Sequence, residues 1–355
     1  MPLWIWRKPK LFLPLWYSQT KKTTYLLNLK SKLLQVLKTI LPIAFGFFLI
    51  AYTYTTTSPE DRQLIYKNMS QAPPFWVGLS LFIGLLSHLS RAIRWNYLLA
   101  PLGYAPPVKS NLLVILMGYF ANLGVPRSGE ILRATALRTY EKVPFQKGFG
   151  TIITERVIDL FMLFIVVGIS LILQTDILLD FFEEKNISWG KLGLIGLALT
   201  GVIGLFIWAV FYSQIAVFKK IKGSIGDLFA GVFSVFKMKH KWAFIGHTFF
   251  IWACYVGMFW VIKFTVAETV NLGAEALLVA FVAGAFAMSA TNGGIGLYPI
   301  AIQKSLAIFG VSAIAGNTFG WIMWISQTAL VVVLGGISFL IIPFVSSKTK
   351  TDGQT

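Results

Sequence analysis

Ionisable residues are rare in this chain, and several of them stand inside or directly beside long apolar runs. Only 13% of the 355 residues are charged, and Arg91 and Arg94, followed by Trp95, close one such run. A charge within the hydrocarbon region of a membrane is costly, so an intramembrane charge indicates a functional site by default. The alternative is that both arginines reach the lipid headgroups beside an interfacial tryptophan, as the ends of many membrane helices do.

A second group of polar residues surrounds a predicted helix break. Residues 118–130 read GYFANLGVPRSGE, and their glycines and proline prevent a continuous helix. Asn122 offers a donor and an acceptor to the backbone groups that the break leaves free. On a helix that starts near position 128, Arg127, Glu130 and Arg133 recur every three residues and share one face, which can bind a phosphate through forked arginine side chains. The alternative is an interfacial ion pair that only anchors the hairpin.

Two carboxylates stand at the entry of another apolar run. Glu155 and Asp159 are four residues apart and share one helical face, where like charges repel unless a cation lies between them. Arg156 lies off that face, so the cation must come from another element. The candidates are Arg91, Arg94, Arg127 and Arg133. The alternative, acids favoured by the dipole of a first helical turn, is weaker for Asp159, which lies more than one turn after Glu155.

A glycine-rich break interrupts a later apolar run. Residues 289–299 read SATNGGIGLYP, and Asn292, Gly293, Gly294 and Gly296 can form a sharp turn whose N–H groups face a ligand. A nucleotide-binding loop is excluded, because the Gly-Lys-Ser/Thr ending and the flanking strand are absent. The alternative is that these small residues only allow close helix packing.

The elements that position these residues are predicted to be membrane-spanning helices. The chain is 56% hydrophobic, above the range of soluble domains. A helical span needs about 20 apolar residues. The apolar windows are 39–57, 75–90, 111–126, 157–175, 191–212, 242–266, 276–309 and 317–342. The window 111–126 is short and 276–309 is broken, so both are predicted to be re-entrant hairpins buried in protein, leaving about six full spans in an all-α, polytopic bundle.

The distribution of Lys and Arg predicts the orientation. If 111–126 enters from the cytoplasm and 276–309 from outside, 25 of the 31 basic residues fall on the cytoplasmic side and 6 outside. Both termini are then cytoplasmic, in the cytoplasmic membrane of a prokaryote-like cell. The net charge of +17 is explained by basic loops that lie against an anionic leaflet. Nucleic-acid binding is not predicted, because no recognition module accompanies the charge.

One membrane domain is predicted, with two halves that form a candidate inverted repeat. Both breaks carry Asn and Gly and enter from opposite sides, a pattern that places a substrate site near the midplane in transporters. The single cysteine, Cys254, and three scattered histidines give no disulfide and no metal site. The predicted segments are a basic interfacial arm 1–38, a membrane domain 39–342 with halves 39–212 and 242–342, a basic loop 213–241, and a disordered tail 343–355.

The order of these motifs resembles the flippase-like membrane domain of lysylphosphatidylglycerol synthases over residues 35–342. The family often has Pro before the paired glycines and Glu shortly after them, whereas this chain has Thr291-Asn292 and Tyr298-Pro299 at those places. The positions that match the family are Arg91, Arg94, Asn122, Pro126, Arg127, Gly129, Glu130, Arg133, Glu155, Arg156, Asp159, Gly293, Gly294 and Gly296.

The resemblance implies a lipid translocase, or a translocase-like subunit, that moves or holds an anionic phospholipid or a polyprenyl-linked lipid. The arginines would bind the phosphate, and Glu130, Glu155 and Asp159 would balance them or bind a cationic headgroup. We predict no catalytic residue, metal or cofactor. Because the sequence offers no nucleotide site, any transport is expected to be passive or ion-coupled. The 13 residues after position 342 cannot form the family's soluble aminoacyl-transferring domain, so synthesis of lysylphosphatidylglycerol is not expected. The alternatives are an intramembrane enzyme on lipid carriers, with Glu155 or Asp159 as base, and a non-catalytic partner of a separate synthase; a homo-oligomer also stays open.

Overall fold

The described part of the chain is helical. A computed structural model describes residues 40–174 apart from position 42, residues 238–351 with side chains as far as 345, and the isolated positions 190, 197, 201, 208 and 212. The predicted arm 1–38, the window 191–212 apart from four of these isolated positions, and most of the loop 213–241 lie outside this part. The helices are α1 (Ile43–Thr56), α2 (Pro59–Ser70), α3 (Pro74–Leu99), α4 (Val108–Gly124), α5 (Ser128–Glu141), α6 (Phe145–Leu173), α7 (Lys241–Ile262), α8 (Ala274–Ala290), α9 (Leu297–Ala307) and α10 (Ala313–Thr351).

Four of the described segments are long and apolar enough to cross a membrane. They are Pro74–Leu102, Phe145–Leu173, Lys241–Thr265 and Ala313–Val345. Large apolar side chains such as Phe164, Ile172 and Leu340 stand on the outside of α6 and α10 and are mostly exposed. An exposed apolar surface of this kind is typical of helices that face lipid. The chain is therefore a helical membrane protein, while the count of six spans stays a prediction.

Both helix breaks occur where the sequence predicts them. One separates α4 from α5 at residues 125–127, and the other separates α8 from α9 at residues 291–296. The four flanking helices contain 17, 14, 17 and 11 residues, so at 1.5 Å per residue they are about 16–26 Å long. Each is shorter than the hydrocarbon core of about 30 Å. Their re-entry from one side of the membrane remains a prediction.

The helices are longer than the apolar windows, because they continue through the charged residues at which those windows end. α3 continues past Arg91 and Arg94 to Leu99, and α6 begins at Phe145, well before the predicted start at 157. An apolar window ends at the first charged residue, whereas a helix continues through charged residues that are paired inside the protein. At its carboxyl end α10 continues to Thr351, into the segment 343–355 that the sequence analysis assigns to the tail.

Of the three apolar cores in the described residues, the two largest flank the long helices α3 and α7, which pack along one another. The first core joins the last turns of α3 to α4, α5 and the beginnings of α6 and α7, and the second joins the end of α7 to α8, α9 and α10. The fully buried side chains of the first include Trp95, Leu99, Ile115, Leu137 and Ile152. Those of the second include Phe259, Ile262, Ile302, Leu306 and Phe319. The charged residues of α3 and α6 lie beside the first core.

Candidate functional site

Five charged side chains from three helices form one ion network. Glu155 lies at its centre: its Oε1 accepts a hydrogen bond from Arg91, and its Oε2 accepts one from Arg133 Nη2 at 2.9 Å. Arg94 Nη2 stands 3.8 Å from Glu155 Oε1. The two oxygens of Asp159 accept from Arg91 Nη1 at 2.7 Å and from Arg94 Nη2 at 2.9 Å. The expectation that cations from other elements separate these two carboxylates is therefore confirmed.

The network is enclosed and carries an excess positive charge. Four of its side chains are at most 3% exposed, and Asp159 is 13% exposed. Within the described part of the chain, three guanidinium groups face two carboxylates, which leaves a net charge of +1. The Nε atoms of the three arginines have no hydrogen-bond partner there. A buried charge without a counter-charge is expensive, so this network favours an additional anion.

Two hydroxyl groups from α7 and one aromatic ring from α3 complete the network. Tyr255 Oη accepts a hydrogen bond from Arg91 Nη2 at 2.8 Å, and Thr248 Oγ1 accepts one from Arg94 Nη1 at 3.1 Å. The Arg133 guanidinium lies 4.2 Å above the Trp95 ring, a favourable cation–π contact. We did not predict Tyr255 or Thr248, because α7 is an apolar span whose sequence carries no charge beside them.

The alternative interpretation, in which Arg91 and Arg94 reach the lipid headgroups beside an interfacial Trp95, is wrong. Arg91 and Arg94 are 2% and 0% exposed, and Trp95 is fully buried, with its Nε1 donating to Thr151 Oγ1 at 2.9 Å. These arginines bind carboxylates inside the protein and do not extend to headgroups. Together with Arg133 they are three of the 25 basic residues assigned to the cytoplasmic side, and as buried residues they carry no information on orientation.

Arg127, one of the four candidate cations for Glu155 and Asp159, does not join the network, whereas the other three do. It precedes α5, has a φ of 62° and is exposed. This left-handed conformation takes it out of the helical register that it was predicted to share with Glu130 and Arg133. Glu130 instead faces Arg156, with 3.3 Å between Glu130 Oε1 and Arg156 Nε.

The break between α4 and α5 is closed by local hydrogen bonds. Asn122 Oδ1 accepts from the backbone N–H of Gly129 at 2.7 Å, which confirms that this side chain serves a freed backbone group. Ser128 Oγ donates to the carbonyl oxygen of Val125 at 2.7 Å. A Cβ atom on Gly129 would overlap the carbonyl oxygen of Gly118. The two legs of this hairpin approach one another that closely because neither glycine carries a side chain.

The two breaks contact each other. Asn292 Nδ2 donates to the carbonyl oxygen of Leu123 at 2.6 Å, and Trp324 Nε1 donates to that of Gly293 at 2.7 Å. Positive φ angles occur at Gly293, Gly294 and Gly296. Glycine adopts this conformation readily, whereas a residue with a Cβ does so at a cost. Asn292, which departs from the family pattern, thus supplies the bond that joins the breaks.

The hairpin formed by α4 and α5 also links this contact to the ion network. The Arg133 side chain lies directly against Gly118 of α4, where a Cβ atom would stand 2.7 Å from Arg133 Cγ. Gly118 and Leu123 are five residues apart on one helix, a rise of about 7–8 Å. A movement of α4 would therefore act on both places.

A separate cavity of about 380 Å³ lies between α3 and α7. Ser90 Oγ and His247 Nδ1, which both line it, are hydrogen-bonded at 2.8 Å. The sequence does not indicate this pair, because the two residues are 157 positions apart and neither belongs to a recognisable motif.

The family model described as "Lysylphosphatidylglycerol synthase TM region" matches residues 39–336. The chain is 30% identical over 155 residues to a UPF0104 membrane protein of Methanocaldococcus jannaschii, across 42% of this chain and 44% of that protein. It is 23% identical over 156 residues to the glycosyltransferase AglD of Haloferax volcanii, across 44% of this chain and 24% of that enzyme. The chain thus spans less than half the length of these curated relatives. No solved structure matches it significantly.

Proposed function

Because the chain belongs to the lysylphosphatidylglycerol synthase TM region family, we propose that it is a lipid translocase or translocase-like protein of the cell membrane. Its ligand is a lipid with an anionic or polyprenyl-linked headgroup, and both termini lie in the cytoplasm. The observation that carries this proposal is the enclosed network in which three arginines face two carboxylates. Arginine forks bind phosphate oxygens well, and buried charge inside a membrane protein marks substrate and ion pathways.

The paired helix breaks support transport rather than simple binding. Interrupted helices that meet within a membrane protein form substrate sites in many transporters. Here Asn292 bonds to Leu123 across the two breaks, and Arg133 packs on the same helix, α4. A lipid headgroup bound by the network would therefore lie near elements that can change their relative position. Such transport is passive or coupled to an ion.

A flip assay tests this proposal. The purified chain is reconstituted into phosphatidylcholine vesicles that contain fluorescent phosphatidylglycerol. Dithionite added outside quenches the dye of the outer leaflet, so further quenching reports lipid that has moved from the inner leaflet. Arg133→Lys keeps the charge and loses the guanidinium fork, so we expect at least a tenfold lower rate. Arg138→Lys on the same helix, at an exposed position, is the matched control. No flipping by the wild type refutes the function, and equal rates for the two variants remove the network as its site.

An intramembrane lipid-modifying enzyme is the second candidate. The predicted bases Glu155 and Asp159 are engaged by arginines, but Ser90 and His247 form a hydroxyl–imidazole pair in an apolar cavity, the arrangement that nucleophilic catalysis uses. Product formation from labelled lipid by the wild type and not by Ser90→Ala would favour this function over translocation.

A non-catalytic partner of a separate synthase is the third candidate. It is supported by the match to one part of the glycosyltransferase AglD, where the similarity covers 24% of that enzyme. Co-purification of a synthase from native membranes, together with inactivity of the isolated chain in the flip assay, would favour it.

A further inference from the structure

Asp159 differs from the other members of the ion network in its position. It is the most exposed of the five, and its two oxygens each bind a different arginine, Arg91 at 2.7 Å and Arg94 at 2.9 Å. Glu155 is fully enclosed and faces all three arginines. Asp159 thus lies at the open edge of the network. It can move away from the arginines while Glu155 keeps its contacts with them.

We propose that the Asp159 carboxylate occupies the place of a phosphodiester, and that an incoming phosphodiester displaces it from Arg91 and Arg94. The two non-bridging oxygens of a phosphodiester can accept from two guanidinium groups as the two carboxylate oxygens do here. This inference rests on the proposed lipid function and adds the headgroup chemistry and the way in which the empty site is closed.

Charge balance specifies a ligand with one negative charge. The network and the neighbouring pair of Glu130 and Arg156 together hold four arginines and three carboxylates, a net charge of +1 within the described part of the chain. A phosphodiester brings this set to neutrality. A headgroup with no net charge leaves the net charge of this set at +1. A headgroup with two negative charges changes it to −1. Each of these leaves a buried charge uncompensated.

Arg156 offers the displaced carboxylate a new partner. It lies three residues before Asp159 on α6, so the two side chains are neighbours on the helix surface. Its side chain is 36% exposed, and its one ion-pair contact in the described residues is Nε to Glu130 at 3.3 Å. The terminal nitrogens of Arg156 are therefore available when Asp159 leaves Arg91 and Arg94.

Lipid binding to Asp159→Asn tests the displacement. Binding of dioctanoyl phosphatidylglycerol, dioctanoyl phosphatidylcholine and water-soluble glycerophosphoglycerol to the purified full chain is measured by native mass spectrometry in neutral detergent. The amide no longer competes as an anion, so we expect phosphatidylglycerol to bind at least tenfold more tightly, with no change for phosphatidylcholine. Tighter binding of phosphatidylglycerol or of glycerophosphoglycerol, the two phosphodiesters with one net negative charge, supports the proposal, and their comparison shows whether the source is a lipid or a free headgroup.

The control is Glu60→Gln, which removes one negative charge at an exposed position on α2. Unchanged or weaker phosphatidylglycerol binding by a folded Asp159→Asn protein would overturn the proposal, as would equal tightening in the control. If Asp159→Asn does not fold, Arg156→Gln replaces it: loss of the receiving partner should weaken phosphatidylglycerol binding at least threefold, and an unchanged affinity overturns the proposal. If the wild type flips lipid but Asp159→Asn binds phosphatidylglycerol as the wild type does, only the displacement of Asp159 is refuted. If the wild type does not flip lipid, the proposed function itself is refuted.

Discussion

Neutralising Glu155 should destabilise the protein far more than removing its partner Arg133. Glu155→Gln keeps the shape of the side chain but raises the net charge of the enclosed network from +1 to +2, because three arginines then face one carboxylate. At the 2.9 Å between Glu155 Oε2 and Arg133 Nη2, one such contact contributes about 6 kcal/mol before desolvation at an effective dielectric constant of about 20. Breaking a buried pair costs about 3–5 kcal/mol net, and we expect that loss in the free energy of unfolding.

Arg133→Met has the opposite effect on the charge balance. It leaves two arginines and two carboxylates, so the network becomes neutral and the cost is limited to the lost hydrogen bonds and the contact with Trp95 at 4.2 Å. We expect about 1–2 kcal/mol. The double variant returns the network to +1, so adding Glu155→Gln to Arg133→Met should cost at most about 1 kcal/mol more than Arg133→Met alone. Compared with about 3–5 kcal/mol for Glu155→Gln in the wild type, this is a coupling energy of about 2–4 kcal/mol.

The assay is reversible unfolding of the purified chain in mixed micelles, followed by tryptophan fluorescence as the fraction of denaturing detergent rises. Arg138→Met, on the exposed side of the same helix, is the control and should change stability by at most about 0.5 kcal/mol. Equal costs for the two single variants, or costs that add in the double variant to within about 0.5 kcal/mol, would refute the charge-balance reasoning.

Three further predictions concern the helix breaks. Gly129→Ala should prevent the close approach of α5 to α4 and cost about 3 kcal/mol in unfolding measurements, whereas Gly124→Ala, which has open space around it, should be nearly neutral. Equal effects of the two variants would contradict the contact between Gly129 and Gly118. Asn292→Ala should cost about 1–3 kcal/mol, because the carbonyl of Leu123 loses its 2.6 Å bond; a wild-type unfolding midpoint would exclude a stabilising role. In a Cys254→Ser background, Val125→Cys at the exposed break between α4 and α5 should resist a membrane-impermeant maleimide added outside intact cells, because this break is predicted to open to the cytoplasm. Labelling from outside would show that this hairpin crosses the membrane.

Several features of the fold follow from residues that act through the local backbone. Proline and glycine limit or widen the backbone angles wherever they occur, so the break after Gly124 and the turn through Gly293 and Gly296 could be predicted without knowledge of the neighbouring helices. The four-residue spacing of Glu155 and Asp159 likewise required cations from elsewhere in the chain. The family, shown by the match over residues 39–336, agrees with the resemblance drawn from the order of these motifs.

The sequence by itself determined that this is a helical membrane protein with two interrupted segments and an unusual set of charges within apolar runs, because hydropathy, glycine, proline and spacing act locally. Only the tertiary structure decided which charges meet. Arg133 reaches Glu155 while Arg127 does not, since one lies within α5 and the other precedes it with a φ of 62°. Trp95 is buried beneath Arg133 instead of lying at the interface. The pairing of side chains from α3, α5, α6 and α7 depends on how these helices pack, and no periodicity along the chain encodes that packing.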